Sequence, residues 1–263
     1  MQRTSYKIYT IMTKKIFLLL LSLTVVSCSS KKDILYYQDM KVGSQEYINY
    51  LSSTIQINDI LFIKISALIP ESTEPFNIQI GSNNYINIET YRIQGYLVSQ
   101  EGSIVFPILG TINLAGKSTT EAQNFIAKML SDGGYLKDPK VSVRVINSKI
   151  TVLGEVKLPG TYNYDEQNLS LNQAIGLAGD LTINGVRKDV MIIREVNGVR
   201  TYAHVDLTSS DWFSSPYYYV KQNDVIIVNP NGPKITSAGY INSLGTTLGI
   251  ISFGLTIYLL LKK

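Results

Sequence analysis

Few residues of this chain could do chemistry, and they do not converge. His204 is the sole histidine and Cys28 the sole cysteine. His204 falls on the outward face expected for a hairpin strand, together with Arg200, Tyr202 and Asp206, which reads as surface polarity or a contact. A metal centre needs several ligands at suitable spacing. A nucleophilic triad needs a base beside Ser, Cys or Thr. Neither pattern occurs, so no catalytic residue, metal ligand or cofactor is expected. Glycoside hydrolysis needs two carboxylates flanking one bond, and Glu71, Glu74, Asp165 and Glu166 are candidates only in that they are acids. The aromatic group Trp212, Phe213, Tyr217, Tyr218 and Tyr219 has rings able to stack on sugars. Trp212, Tyr217, Tyr218 and Tyr219 are therefore candidate glycan contacts, though such a cluster also suits a core or a subunit contact. Gly102, Gly110, Gly116, Gly154 and Gly160 sit at turns and form no phosphate loop.

Cys28 has a more definite setting. Lys14 and Lys15 precede the apolar run 16–26, and Val25-Val26-Ser27-Cys28 follows. A short apolar core after lysines reads as a secretory signal, and the small residue before Cys is its lipoprotein form. Cys28 is thus the expected lipidation site and residues 1–27 the signal. Met12 gives a more compact signal than Met1. No disulfide is possible within a chain holding one cysteine.

Charge supports that partition. The chain carries 24 basic and 20 acidic residues, a formal charge of +4. Arg3, Lys7, Lys14 and Lys15 account for the excess, so residues from Cys28 onward are formally neutral. Nucleic-acid binding needs a concentrated basic surface and is not expected.

The other end is apolar. Between Lys234 and Lys262 there are 27 positions without charge. The most apolar part, 244–261, reaches about 27 Å as a helix, against a hydrocarbon core of roughly 30 Å. A C-terminal transmembrane helix within residues 231–263 is expected, closed by Lys262 and Lys263. Asn242, Gly245, Gly249, Ser252 and Thr256 recur at helical spacing along one seam. Gly245 and Gly249 permit close helix approach. The seam faces either a lumen or a neighbouring helix.

The elements between the ends are well punctuated. Residues 104–106 and 111–114 read as short strands around Pro107 and Gly110, and Gly116-Lys117 as a turn. Ser118 and Glu121 have capping-box spacing. Ala122, Phe125, Ile126, Met129 and Leu130 make one helix face, stopped at Gly133-Gly134. Val141, Val143 and Val145 alternate as in a half-buried strand. Residues 70–95 show little periodicity and read as a long hairpin or excursion. Further on, residues 150–153 read as a strand, and Ser170 and Gln173 repeat the capping box before Leu171, Ala174, Ile175 and Ala178. Strands 190–196 and 199–207 flank Asn197-Gly198, a hairpin signal. Gln222-Asn223-Asp224 before an apolar run echoes residues 56–62. The fold class is α+β, mostly β.

Two stretches resemble a known family. The run G-S-I-V-F-P-I-L-G from Gly102, A-G-K-S-T-T-E-A from Ala115 and D-P-K-V-S-V from Asp138 resemble the polysaccharide export domain of outer-membrane Wza-like lipoproteins. G-E-V-K-L-P-G-T-Y from Gly154, L-N-Q-A-I-G-L-A-G-D from Leu171 and Y-Y-Y-V-K-Q-N-D-V-I-I-V from Tyr217 resemble the β-grasp SLBB module that follows it. Where the family has Gly before each Asp, this chain has Asn58 and Asn223, and Asn also tolerates φ > 0. The resemblance divides the chain into a lipidated tether at 28–49, an export domain at 50–147 and one SLBB domain at 148–230. It implies a homo-oligomeric ring, an octamer, whose C-terminal helices line an outer-membrane pore for capsular polysaccharide or exopolysaccharide. The soluble domains would be periplasmic, the C-terminus outside the cell, and an inner-membrane polysaccharide co-polymerase the partner. The alternative is a lipid- and helix-anchored periplasmic glycan-binding adaptor that forms no pore.

Overall fold

The computed structural model describes residues 31–43, 45, 53–78, 93–196, 198–238 and 244–261. Two hydrophobic cores form, one from residues between Ile55 and Val143, the other from residues between Ile150 and Val228.

The first domain is built on β1 (Ile60–Ser66), which pairs antiparallel with β2 (Tyr96–Leu97) on one side and β5 (Lys140–Val145) on the other. Leu61, Ile63 and Ile65 alternate inward and lie opposite Val145, Val143 and Val141. The hairpin β3 (Ser103–Phe106) and β4 (Gly110–Asn113) adds Ile104, Phe106 and Ile112 to that core. Helix α1 (Thr119–Asp132) starts where the sequence predicts: Ser118 Oγ accepts from Glu121 N–H, and Glu121 Oε2 accepts from Ser118 N–H at 2.7 Å. Ala122, Ile126 and Leu130 are fully buried. Phe125, expected on that face, lies at its solvent edge beneath the Lys117 ammonium.

The excursion after β1 opens as a 3-10 helix, Pro70–Phe76. The side chain of Asn77 then bonds both N–H and C=O of Ile65, at 2.8 and 2.9 Å, where a strand partner would sit. That satisfies backbone groups of β1 without a further strand.

The second domain is a five-stranded mixed sheet in the order β7-β6-β10-β8-β9. Its strands are β6 (Lys149–Gly154), β7 (Gly160–Asn163), β8 (Gly185–Val196), β9 (Val199–Val205) and β10 (Val225–Pro230). Only β6 and β10 run parallel. Gly154, with φ +88, lies where a Cβ would come within 2.0 Å of Val228 O. Helix α2 (Leu171–Leu177) covers one face, and its capping box is formed by Ser170 and Gln173. β8 starts five residues before the expected Val190, because Gly185 still pairs with Pro230 beyond a bulge.

After β10 come α3 (Gly232–Ser237), capped by Asn231, and α4 (Leu244–Leu261). Every side chain described on α4 is exposed, and none joins either core. Yet among the described residues no helix is long and apolar enough to cross a membrane. The described helix, 18 residues long, therefore does not by itself support the single span expected from the sequence.

Candidate functional site

The segment expected to be a loose tether is docked. Residues 31–40 form a strap along the second domain. It begins in a 3-10 helix (Lys31–Asp33), and Asp33 pairs with Lys188 at 2.7 Å. Tyr36 lies under the Arg187 guanidinium and donates its hydroxyl to Asp180 Oδ1 at 2.5 Å. Burial and that neighbouring carboxylate push the Tyr36 phenol up. Tyr37 N–H donates to Leu207 O, Gln38 N–H to Thr208 O, and the Tyr37 hydroxyl to Asn172. Asp39 accepts from the N–H and hydroxyl of Ser210 and the hydroxyl of Ser209, and these bonds hold its carboxyl below the usual range. Alternation and capping signals could not reveal the strap, because it is too short for either.

The aromatic group lies next to the strap. Trp212 is only 7% exposed, and its indole N–H donates to Ser209 O. It meets Phe213 edge-on and Tyr218 at a tilt, and Phe213 meets Tyr37 edge-on at 5.1 Å. Tyr217, Tyr218 and Tyr219 are half-buried. Arg194 fixes their loop. Its guanidinium donates to Pro216 O and Tyr219 O, and lies 4.8 Å from the centre of the Tyr217 ring. Arg194 also grips Asp224 with contacts of 2.7 to 3.2 Å while both are buried. The sequence signal for it was an arginine inside the apolar run Val190–Val196. A charge there needs a buried partner.

Asp224 and Asp59 occupy matching turns. Asn58 and Asn223 have φ of +69 and +63. Asp59 Oδ2 accepts from Gln56 N–H as Asp224 Oδ2 accepts from Lys221 N–H. The two differ in their partners. Asp59 is 2% exposed, and among the described residues Oδ1 has no hydrogen-bond partner. Burial pushes its carboxyl up to about 6. Asp59 lines a cleft of about 520 Å³ between the domains, with Arg144, Tyr164 and Gln222 around it.

The other candidates lie apart. Asp165 and Glu166 rim this cleft, while Glu71 and Glu74 sit on the 3-10 helix of the first domain. His204 pairs with Asp189 across β8 and β9, both about half exposed. Among the described residues no group of His, Cys, Asp and Glu could hold a metal. Gly245, Gly249, Ser252 and Thr256 lie on α4, and the Thr256 hydroxyl donates to Ser252 O at 2.8 Å. Cys28, Asn242, Lys262 and Lys263 lie outside the described residues.

Two family profiles cover these domains. The Polysaccharide biosynthesis/export protein profile matches residues 52–146, and the SLBB domain profile matches residues 149–202. The chain belongs to the polysaccharide export protein family. Its curated relatives include the EPS I polysaccharide export outer membrane protein EpsA of Ralstonia solanacearum, 36% identical over 97 residues. That alignment covers 36% of this chain and 25% of the relative. EpsA of Ralstonia nicotianae is 35% identical over 106 residues, 39% of this chain and 27% of the relative. The exopolysaccharide production protein ExoF of Rhizobium meliloti is 35% identical over 88 residues, 33% of this chain and 21% of the relative. The chain thus aligns with about a quarter of the length of the relatives it matches. The strap, the aromatic loop at 212–219 and α4 belong to this family member but lie outside both profile matches.

Proposed function

We propose that this chain is an outer-membrane lipoprotein that assembles into a ring and passes exopolysaccharide or capsular polysaccharide from the periplasm to the cell surface. One observation carries the membrane part of this reading. Beyond the tandem export and SLBB domains, α4 exposes Leu248, Ile250, Ile251, Phe253, Leu255 and Leu259 by more than half each, with no core beneath them. A helix apolar on every side needs an apolar surround. Its hydroxyls suit one: Thr256 is satisfied inside the helix. The lipid on Cys28 is the second anchor, since one chain alone holds weakly. An inner-membrane polysaccharide co-polymerase is the partner from which the ring receives the chain. No step of this mechanism breaks a bond. A ring offers a hydrated path, and the polymer is moved by its supply from below.

Gly249→Leu tests assembly selectively. A Cβ at Gly249 meets nothing within 4 Å in the single chain, so the substitution leaves both domains intact. A smaller detergent-extracted complex with export lost is the expected result. An unchanged complex mass and full export would refute the seam. The half-buried Tyr217, Tyr218 and Tyr219 favour a second reading, a lipid- and helix-anchored periplasmic glycan-binding adaptor that forms no pore. A detergent-extracted monomer that binds glycan would establish it.

A further inference from the structure

The two ends of the folded region leave the SLBB domain at the same place. At the C-terminal end, Pro230 pairs with Gly185, and Asn231 N–H donates to Asn184 O at 2.7 Å. Lys234, one turn later, reaches toward Glu155. At the N-terminal end, Asp33 is fixed to Lys188 and Tyr36 to Arg187. Gly185 and Lys188 are three steps apart on β8, about 10 Å. Beyond these exits the chain has little reach. Lys31 is three Cα steps from Cys28, at most about 11 Å. Leu244 is six steps from Ala238, at most about 22 Å.

We propose that this corner, Asn184 to Lys188 with the strap across it, is the face the protein presents to the lipid surface. The strap makes one two-point attachment from anchors more than 200 residues apart in sequence. The proposal rests on the reading of Cys28 and α4 as membrane anchors. The partner is a lipid headgroup layer, and the corner suits it. Lys31 and Lys32 open the strap and are exposed, while Lys188 and Lys234 flank the exits half exposed and already face Asp33 and Glu155. The far end of the same strand gives a built-in contrast. The β8–β9 hairpin tip at Val196–Val199 lies eleven steps from Gly185, about 36 Å along β8.

The test uses the full-length lipidated chain in vesicles containing lipids with a nitroxide on the headgroup. Fluorophores are placed at Ile183→Cys, beside the corner, and at Val199→Cys, at the tip; both positions are exposed. Quenching at residue 183 should exceed that at residue 199 by more than about twofold, given their separation along the strand. Equal or reversed quenching in vesicles that float with bound protein overturns the corner alone. Protein that does not float with the vesicles overturns the anchor reading as well. Labelling of the unsubstituted chain at Cys28 would show an unacylated thiol, with the same consequence. Tyr36→Ala with Tyr37→Ala frees the strap and should lower quenching at residue 183. Should that pair unfold the domain, Asp33→Ala with Asp39→Ala cuts the ion pair to Lys188 and the hydrogen bonds from Ser209 and Ser210, which are exposed and outside the core. Unchanged quenching in a folded strap variant overturns the role given to the strap.

Discussion

Asp59→Asn should make the first domain more stable at neutral pH and flatten its pH dependence. In the native turn, Asp59 is 2% exposed and one of its oxygens has no partner among the described residues. Burial lifts its carboxyl from 3.8 to about 6. The folded state therefore holds this proton more tightly than the unfolded chain. Below the unfolded value both states are protonated and there is no penalty. As pH rises from about 4 to about 6, ionising the buried group costs stability progressively. The full cost above that window is roughly 3 kcal/mol, from about two units at 1.36 kcal/mol each. Asn keeps the acceptor for Gln56 N–H and carries no charge. Urea midpoints of the intact chain, read from hydrogen exchange of β1 amides, should converge for the two proteins near pH 4 and separate by about 1–3 kcal/mol near pH 8. Asn less stable than Asp near pH 8, or wild-type stability rising from about pH 4 to 6, would refute the reasoning. Asp224→Asn provides the opposite sign. There the carboxylate is held by Arg194, and removing its charge strands a buried guanidinium at a cost of about 3–5 kcal/mol.

Four other outcomes follow from single contacts. Ser118→Ala and Ser170→Ala each remove one half of a formed capping box and should cost about 1 kcal/mol by urea unfolding. At normal folded levels neither should abolish polysaccharide export. Gly154→Ala should prevent accumulation of soluble SLBB domain, since its Cβ would strike Val228 O at 2.0 Å with φ at +88. Recovery of wild-type melting by that variant would show that the parallel pair can shift. Arg194→Met should release the aromatic loop, seen as faster hydrogen exchange at 216–220, because two carbonyl bonds are lost with the ion pair. Cys28→Ala should leave an unprocessed or mislocalised precursor, checked by membrane fractionation.

Much of the fold was legible because local chemistry and long-range packing agree. Ser118 and Ser170 cap the helices that their spacing announces. Leu61, Ile63 and Ile65 face the core as alternation requires. Asn58 and Asn223 take the positive φ that the family gives to glycine. What stayed hidden was set by partners far off in sequence. The strap has no periodicity of its own, and Tyr36 and Tyr37 find Asp180 and Asn172 more than 130 residues later. β8 begins early because Pro230 waits across a bulge. The aromatic group reads as a sugar platform in sequence, but Trp212 turns its ring inward and leaves the half-buried tyrosines as the reachable surface. For Asp59 the residues gave the turn but not the missing counter-ion. That only shows once Arg194 is seen beside Asp224.

The strap also imposes an order of events. Its partners reach as far as Ser210, which lies 171 residues beyond Asp39. A chain that emerges from a membrane N-terminus first cannot close this contact until nearly the whole SLBB domain has followed. Closing so long a loop carries an entropic cost that grows only slowly with length, about 0.6 kcal/mol per doubling, so the contact is late but not forbidden. Until then, Tyr36, Tyr37 and Asp39 lack the partners that hold them in the folded domain. The chain's own topology thereby places docking of the strap after the folding of the strands and loops that receive it.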